Sequence, residues 1–317
     1  MHTTDNTVTN YAQKALAQVR RVVVGKDQQL LWVMATILAK GHILLEDIPG
    51  VGKTTMAVAF SKTLGLSYNR VQFTPDVLPS DVTGFSVPDP ATGNMRYQPG
   101  AVLCNLFLAD ELNRATSRTQ SALLEAMEEG QVTVDGVSHP LPQPFVVIAT
   151  QNPTGAAGTQ LLPDSQMDRF TIRMSLGYPE LADEVAMVMS RQAGNPMERL
   201  TPLLTSQALA QMQEEVANTH VSEPVVRYIV DLIHATRNSE SILRGASPRA
   251  TLSVTAVSKA VAQLRGRDYV IPKDVQEVFQ RTVAHRLLLT PKTESQGISP
   301  EKVLKQIMAR VPAPKVP

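Results

Sequence analysis

One string limits most strongly what this 317-residue chain can fold into: Glu46-Asp47-Ile48-Pro49-Gly50-Val51-Gly52-Lys53-Thr54-Thr55. It follows a short apolar run, Ile43-Leu44-Leu45, that reads as a buried strand, and it leads into a helix-forming stretch from Thr54 to Leu64. A strand, a glycine-bearing turn and a helix start in that order describe a phosphate-binding loop. Gly50 and Gly52 let backbone N–H groups curl around phosphate oxygens, and the positive end of the helix dipole adds to the attraction. Lys53 can reach β- and γ-phosphates, and the Thr54 hydroxyl is placed to ligate Mg²⁺. Asp47 stands where the pattern G-x-x-x-x-G-K-[ST] has its first glycine. An ordinary strand–turn–helix with a solvated lysine is the alternative at this point.

A second string favours the phosphate reading. Leu106-Phe107-Leu108-Ala109-Asp110-Glu111 is an apolar strand ending in two carboxylates. A phosphate loop needs a carboxylate at the tip of a neighbouring strand to hold Mg²⁺ through its waters, and Asp110 is that candidate. Glu111 beside it could orient and deprotonate an attacking water, which points to hydrolysis rather than binding alone. Solvated loop charges are the bland alternative.

Around these strings, strand and helix patterns alternate. Lys26 to Lys40 is helix-forming, and further buried strands are expected at 68–73, 105–109, 145–150 and 170–174. Such alternation implies a doubly wound, mostly parallel α/β sheet covered on both faces. Two segments depart from it. Residues 84–100 read as two short strands about a turn, and residues 131–141 alternate polar and apolar about Asp135-Gly136, a hairpin signal. After Gly177 the apolar residues fall at helical spacing, as in Leu181/Val185/Val188, Val226/Ile229/Val230/Ile233 and Val254/Val257/Val261/Leu264. Ile271-Pro272-Lys273-Asp274 and Ser299-Pro300-Glu301 look like helix starts. The expected organisation is a nucleotide-binding core over residues 1–177 and a small all-helical lid over 178–317.

Composition excludes several classes. Thirty Lys and Arg against 29 Asp and Glu give a net charge of +1, and aromatic residues make up 4%, so little speaks for nucleic-acid binding. The densest apolar run, Leu30 to Ala39, is about half of what spans a bilayer. A single cysteine, Cys104, forbids an intramolecular disulfide and suits a reducing, cytoplasmic setting. Next to a buried strand, it reads as a packed residue.

From about Ala12 to Arg310 the chain resembles the AAA+ ATPases, and within them the MoxR family. The resemblance rests on LLEDIPGVGKTT (44–55), FTPDVLPSDVTG (73–84), ADELNRA (109–115), LLEAMEEGQVTVDG (123–136), ATQNP (149–153), LPDSQMDRF (162–170) and GASPRATL (245–252). It implies that Pro49, Gly50, Val51, Gly52, Lys53, Thr54 and Thr55 hold ATP, with Thr54 and Asp110 on Mg²⁺. Val24 and Gly25 would lie beside the adenine. Asn152 resembles the sensor 1 residue, whose amide meets the attacking water or γ-phosphate. Arg169 resembles the arginine finger that serves ATP on a neighbouring subunit, with Arg114 and Arg118 as rivals. Arg249 resembles sensor 2, in the first turn of a lid helix capped by Ser247 and reaching the γ-phosphate. The segments 84–100 and 131–141 correspond to inserts lining the opening of a ring.

A finger from a neighbour implies a homo-oligomeric ring, with a hexamer as the expectation. The resemblance further implies chaperone-like remodelling of protein clients, often with a von Willebrand factor A domain partner. A nucleic-acid motor and a nucleotide-gated scaffold with negligible turnover are the other function classes. Membrane insertion is not expected.

Overall fold

The computed structural model describes residues 7–91, 93–152, 162–192 and 194–315. Thr92 in the first hairpin turn and Pro153 of the ATQNP string therefore lie outside the described residues.

Five strands form the central sheet: β1 (Ile43–Glu46), β2 (Tyr68–Gln72), β3 (Leu106–Asp110), β4 (Val146–Gln151) and β5 (Ile172–Met174). They run parallel in the order β2-β3-β4-β1-β5. Strand β5 is shorter than the apolar run predicts, because Phe170 leaves the ladder and fills the core below it.

The period of two along each strand divides the interior into two apolar clusters. Ile43, Leu45, Leu106, Leu108, Val146 and Ile148 face one side, where helices Thr7–Arg20, Asp27–Leu38 and Lys53–Thr63 cover them. Leu44, Phe107, Ala109, Val147 and Ala149 face the other, under helix Ser117–Glu129. The first cluster continues into the lid, whose helix Pro248–Leu264 packs on the two amino-terminal helices. Apolar packing therefore runs without a break from the sheet into the helical part of the chain.

The two hairpins form as the turn chemistry predicts. Gly84–Pro88 pairs with Met95–Pro99, and Gln131–Val134 pairs with Val137–Pro140. Asp135 and Gly136 both take positive φ, as a two-residue hairpin turn requires. The hairpins also touch each other, the Tyr97 ring stacking on His139 at 3.7 Å, while the Tyr97 hydroxyl donates to the Thr83 carbonyl at the base of its own hairpin at 2.5 Å.

The lid is mainly helical, with a short two-stranded ribbon from Ile242–Arg244 and Leu288–Leu289. Helix Leu181–Gln192 forms at the predicted place, but none of its residues is buried. Leu181, Val185 and Val188 all face outward, so their helical spacing marks an exposed stripe rather than a packed one. Among the described residues no helix is long and apolar enough to cross a membrane.

Two histidines are locked in neutral form inside the fold. The His42 ring accepts from the Val147 backbone N–H at 3.0 Å, and burial pushes its pKa down to about 4. His285 is driven well below the ordinary histidine value, first by burial and then by the adjacent Arg286. In the unfolded chain both titrate near 6.5. Between about pH 6.5 and 4 the unfolded chain therefore binds protons that the native state refuses, and stability falls as pH falls. Urea unfolding across this window should show a steep loss of stability in the wild type and a shallower one in His42→Gln. Equal slopes would show that His42 is not a source of acid lability.

Candidate functional site: a nucleotide centre and an arginine pair at opposite sheet edges

The sheet order puts β4 between β1 and β3, so the carboxyl ends of all three strands meet at one edge. Glu46 is in register with Gln151, and Ala109 with Ala149. The glycine-bearing loop, the Asp110-Glu111 pair and Asn152 therefore converge, although they come from three distant parts of the chain. In open α/β sheets this is the edge where ligands bind.

Gly50 and Gly52 both adopt left-handed backbone, with φ of 88° and 94°. Beyond the adjoining backbone, nothing lies within 4 Å of where a Cβ would stand at either position, so the loop is an open cradle. Gly52 immediately precedes helix Lys53–Thr63, whose first turn offers unpaired N–H groups. The Lys53 ammonium donates to the carbonyls of Asp47 at 2.8 Å and Ile48 at 3.1 Å. Burial lowers its pKa, while the carboxylates of Asp47, Asp110 and Glu111 oppose that shift. A buried lysine beside two acidic strand-tip residues, an open glycine cradle and the Thr54 hydroxyl form a donor set that fits a Mg²⁺-nucleotide.

Asp47, which breaks the glycine pattern, acts as a structural clamp. Its carboxylate accepts from the Ser175 hydroxyl at 2.7 Å, from the Leu176 N–H at 2.5 Å and from the Gly177 N–H at 3.1 Å. It ties the phosphate loop to the segment that leads into the lid. The turn at Val24-Gly25 meets the same region: Lys26 donates to the Tyr178 carbonyl at 2.7 Å, and Gly25 lies so close to Asp183 that a Cβ would collide with it.

The acidic pair is held by residues that the sequence reading passed over. The Thr150 hydroxyl donates to Asp110 Oδ1 at 2.7 Å and accepts the Glu111 N–H at 2.8 Å, so one buried side chain at the tip of β4 fixes both acids. Arg70 on β2 pairs with Asp110 Oδ2 at 2.7 Å. Glu111 sits at φ 56°, a costly conformation for a non-glycine residue that turns its side chain back over the site. One of its oxygens accepts from Asn152 at 3.3 Å and the other from Arg114 at 2.9 Å. Thr150 and Arg70 carried no sequence signal of their own, being polar residues within apparent strands. Cys104 is buried, and burial pushes its thiol up to about 12, which fits its reading as a packed side chain.

Arg169 and Arg249 lie at the opposite edge. The Thr171 N–H donates to the carbonyl of His42, which precedes β1, so Arg169 stands where β1 begins and the phosphate loop where it ends. Four residues of strand put roughly 13 Å between these positions. Arg169 pairs with Glu128 at 3.0 Å, and Arg249 pairs with the other oxygen of the same carboxylate. The structure thus brings Arg249 beside Arg169 rather than beside Lys53. Arg114 belongs to the Glu111 site of its own chain, and Arg118 is exposed in the first turn of its helix.

Asp168, next to Arg169 in the chain, is engaged by the lid. It pairs with Arg286 Nε at 2.9 Å and accepts from the Ser247 hydroxyl at 2.9 Å. Ser247 is at the N-cap position as expected, but its hydroxyl reaches Asp168 instead of closing a cap. Buried Arg286 also donates to the carbonyls of Asp168 and Phe170 at 3.0 and 2.9 Å, and burial lowers its pKa to about 10. The lid therefore fixes both residues flanking Arg169.

Comparison with known proteins agrees with this geometry. Residues 42–172 match the family model for the ATPase family associated with various cellular activities (AAA), and residues 234–307 match that for the AAA lid domain. YeaC of Bacillus subtilis is 44% identical over 95% of this chain and 94% of its own length. The chaperone MoxR1 of Mycobacterium tuberculosis is 38% identical over 96% of this chain and 82% of its own. A solved structure from Cytophaga hutchinsonii superposes with a TM-score of 0.91 at 36% identity, covering 97% of this chain and 96% of that one. With strand order, lid and motifs in agreement, the chain belongs to the MoxR family of AAA+ ATPases.

Proposed function

We propose that this protein hydrolyses Mg²⁺-ATP at the boundary between subunits of a ring, in the cytoplasm, and uses the cycle to remodel partner proteins. The observation that carries the reading is the separation of one catalytic set to two edges of the sheet. Lys53, Asp110, Glu111 and Asn152 gather at the carboxyl edge, while Arg169 and Arg249 gather at the amino edge. One chain cannot bring both sets to one phosphate, whereas a head-to-tail ring can. A hexamer is the ring proposed.

In this reading Pro49 to Thr55 wrap the phosphates, with Lys53 facing the β- and γ-groups, and Val24 and Gly25 flank the adenine. Thr54 and Asp110 would hold Mg²⁺, which supplies positive charge at the phosphate oxygens; Arg70 then gives up or shares its Asp110 oxygen. Glu111 accepts a proton from water as the water oxygen attacks the γ-phosphorus and the bond to ADP breaks. Asn152 orients that carboxylate or the water. Arg169 and Arg249 of the neighbour meet the charge on the transferred group. The contacting hairpins would face the ring opening and clients there, including proteins with a von Willebrand factor A domain; the name of the MoxR1 relative supports the chaperone role.

Lys53→Ala tests the phosphate loop. Removing the cation that faces the β/γ-phosphates should weaken ATP binding at least tenfold by calorimetry while leaving the thermal midpoint without nucleotide nearly unchanged. Unaltered affinity would overturn the assignment of this loop.

A further inference from the structure

We propose that Glu128 is a positioning residue that presents Arg169 and Arg249 as a pair to the neighbouring subunit's phosphate, an inference that rests on the ring reading above. Its carboxylate is shared evenly: one oxygen meets Arg169 Nη2 at 3.0 Å and the other meets Arg249 Nη2. Arg169 belongs to the core and Arg249 to the first turn of lid helix Pro248–Leu264, so Glu128 joins the two parts at this point.

Its own position is well fixed. Glu128 lies in the last turn of helix Ser117–Glu129, next to Met127, whose carbonyl lies 3.3 Å from the His42 ring. Arg169 is fixed through its neighbours Asp168 and Phe170 by buried Arg286. Two guanidiniums brought together repel each other, and a carboxylate between them offsets that repulsion. Through Glu128, each arginine commits one terminal nitrogen and keeps further N–H donors for an anion. Transition-state stabilisation depends on donors held in place beforehand, and Glu128 provides that order here.

A structural role and a positioning role predict different results. All three side chains are between 28% and 41% exposed, and ion pairs this accessible contribute little to stability. Glu128→Gln should therefore shift the thermal midpoint by less than about 2 °C. It should lower kcat for ATP at least tenfold and leave KM within about twofold, because the phosphate loop is untouched. Glu128→Asp, which keeps the charge one methylene short, should fall between.

Mixed rings give the decisive measurement, with subunit exchange verified by native mass spectrometry. Glu128→Gln subunits have an intact Glu111 but poorly held arginines, so mixing them with Glu111→Gln subunits should restore phosphate release. Mixing them with Arg169→Ala subunits should not, because both then lack the same function. Wild-type kcat in Glu128→Gln overturns the proposal. So does failure of rescue by Glu111→Gln, or rescue by Arg169→Ala. The control pair, Arg169→Ala with Glu111→Gln, separates the two ideas: if it regains activity while the Glu128 pair does not, the ring reading stands and the role of Glu128 is wrong. A dead control overturns both.

Discussion

Glu111→Gln is expected to bind ATP within a few-fold of wild-type affinity and to release no phosphate above background in steady state. The amide matches the carboxylate in size, so the left-handed turn at Glu111 and the N–H bond to Thr150 should persist. What disappears is the capacity to accept a proton from water, and positioned general bases contribute roughly 10²–10⁴-fold to such steps. Single-turnover hydrolysis followed by rapid quench isolates the chemical step from product release. Hydrolysis at the wild-type rate would remove Glu111 as the base and leave water orientation to Asn152 alone. Because Arg114 donates to the same carboxylate, the variant also tests that pair: a measurable rise in thermal midpoint would show that Glu111 is held at a cost to stability.

Much of this fold was legible because the relevant physics is local. Buried parallel strands appear as short apolar runs, and all five central strands lie within the predicted stretches or a residue beyond them. The hairpin at Asp135-Gly136 is dictated by its own two turn residues. The helix Leu181–Gln192 was legible but its exposure was not, because helical spacing reports an apolar face without reporting whether anything covers it. The same limit hid Thr150, Arg70 and Glu128. Each acts through a partner 40 or more residues away, and a one-dimensional pattern contains no term for that contact. The role of Asp47 was hidden for a related reason. It looks like a defect in a phosphate loop until its carboxylate is found on the backbone of residues 176 and 177.

Arg169→Ala should leave ATP affinity nearly unchanged and lower turnover by roughly 10³–10⁵-fold, the range that arginine fingers supply in phosphoryl transfer. Both halves of the expectation come from the separation of the two sheet edges. Within one chain the proposed phosphate site, Lys53 and its loop, lies at the end of β1, and Arg169 stands at the strand's beginning, too far away to contribute to binding there. Its loss removes donors only from the neighbour's transition state, where charge develops on the transferred group. Arg114→Ala provides the contrast, since its guanidinium sits on Glu111 of the same chain. Any defect it causes belongs to its own site, so mixing with Glu111→Gln subunits cannot repair it, whereas the same mixing should repair Arg169→Ala. If Arg169→Ala retains wild-type turnover, the exposed Arg118 becomes the finger to test. If it loses ATP affinity as strongly as Lys53→Ala does, the arginine reaches nucleotide within its own chain, and hydrolysis would not require a neighbour.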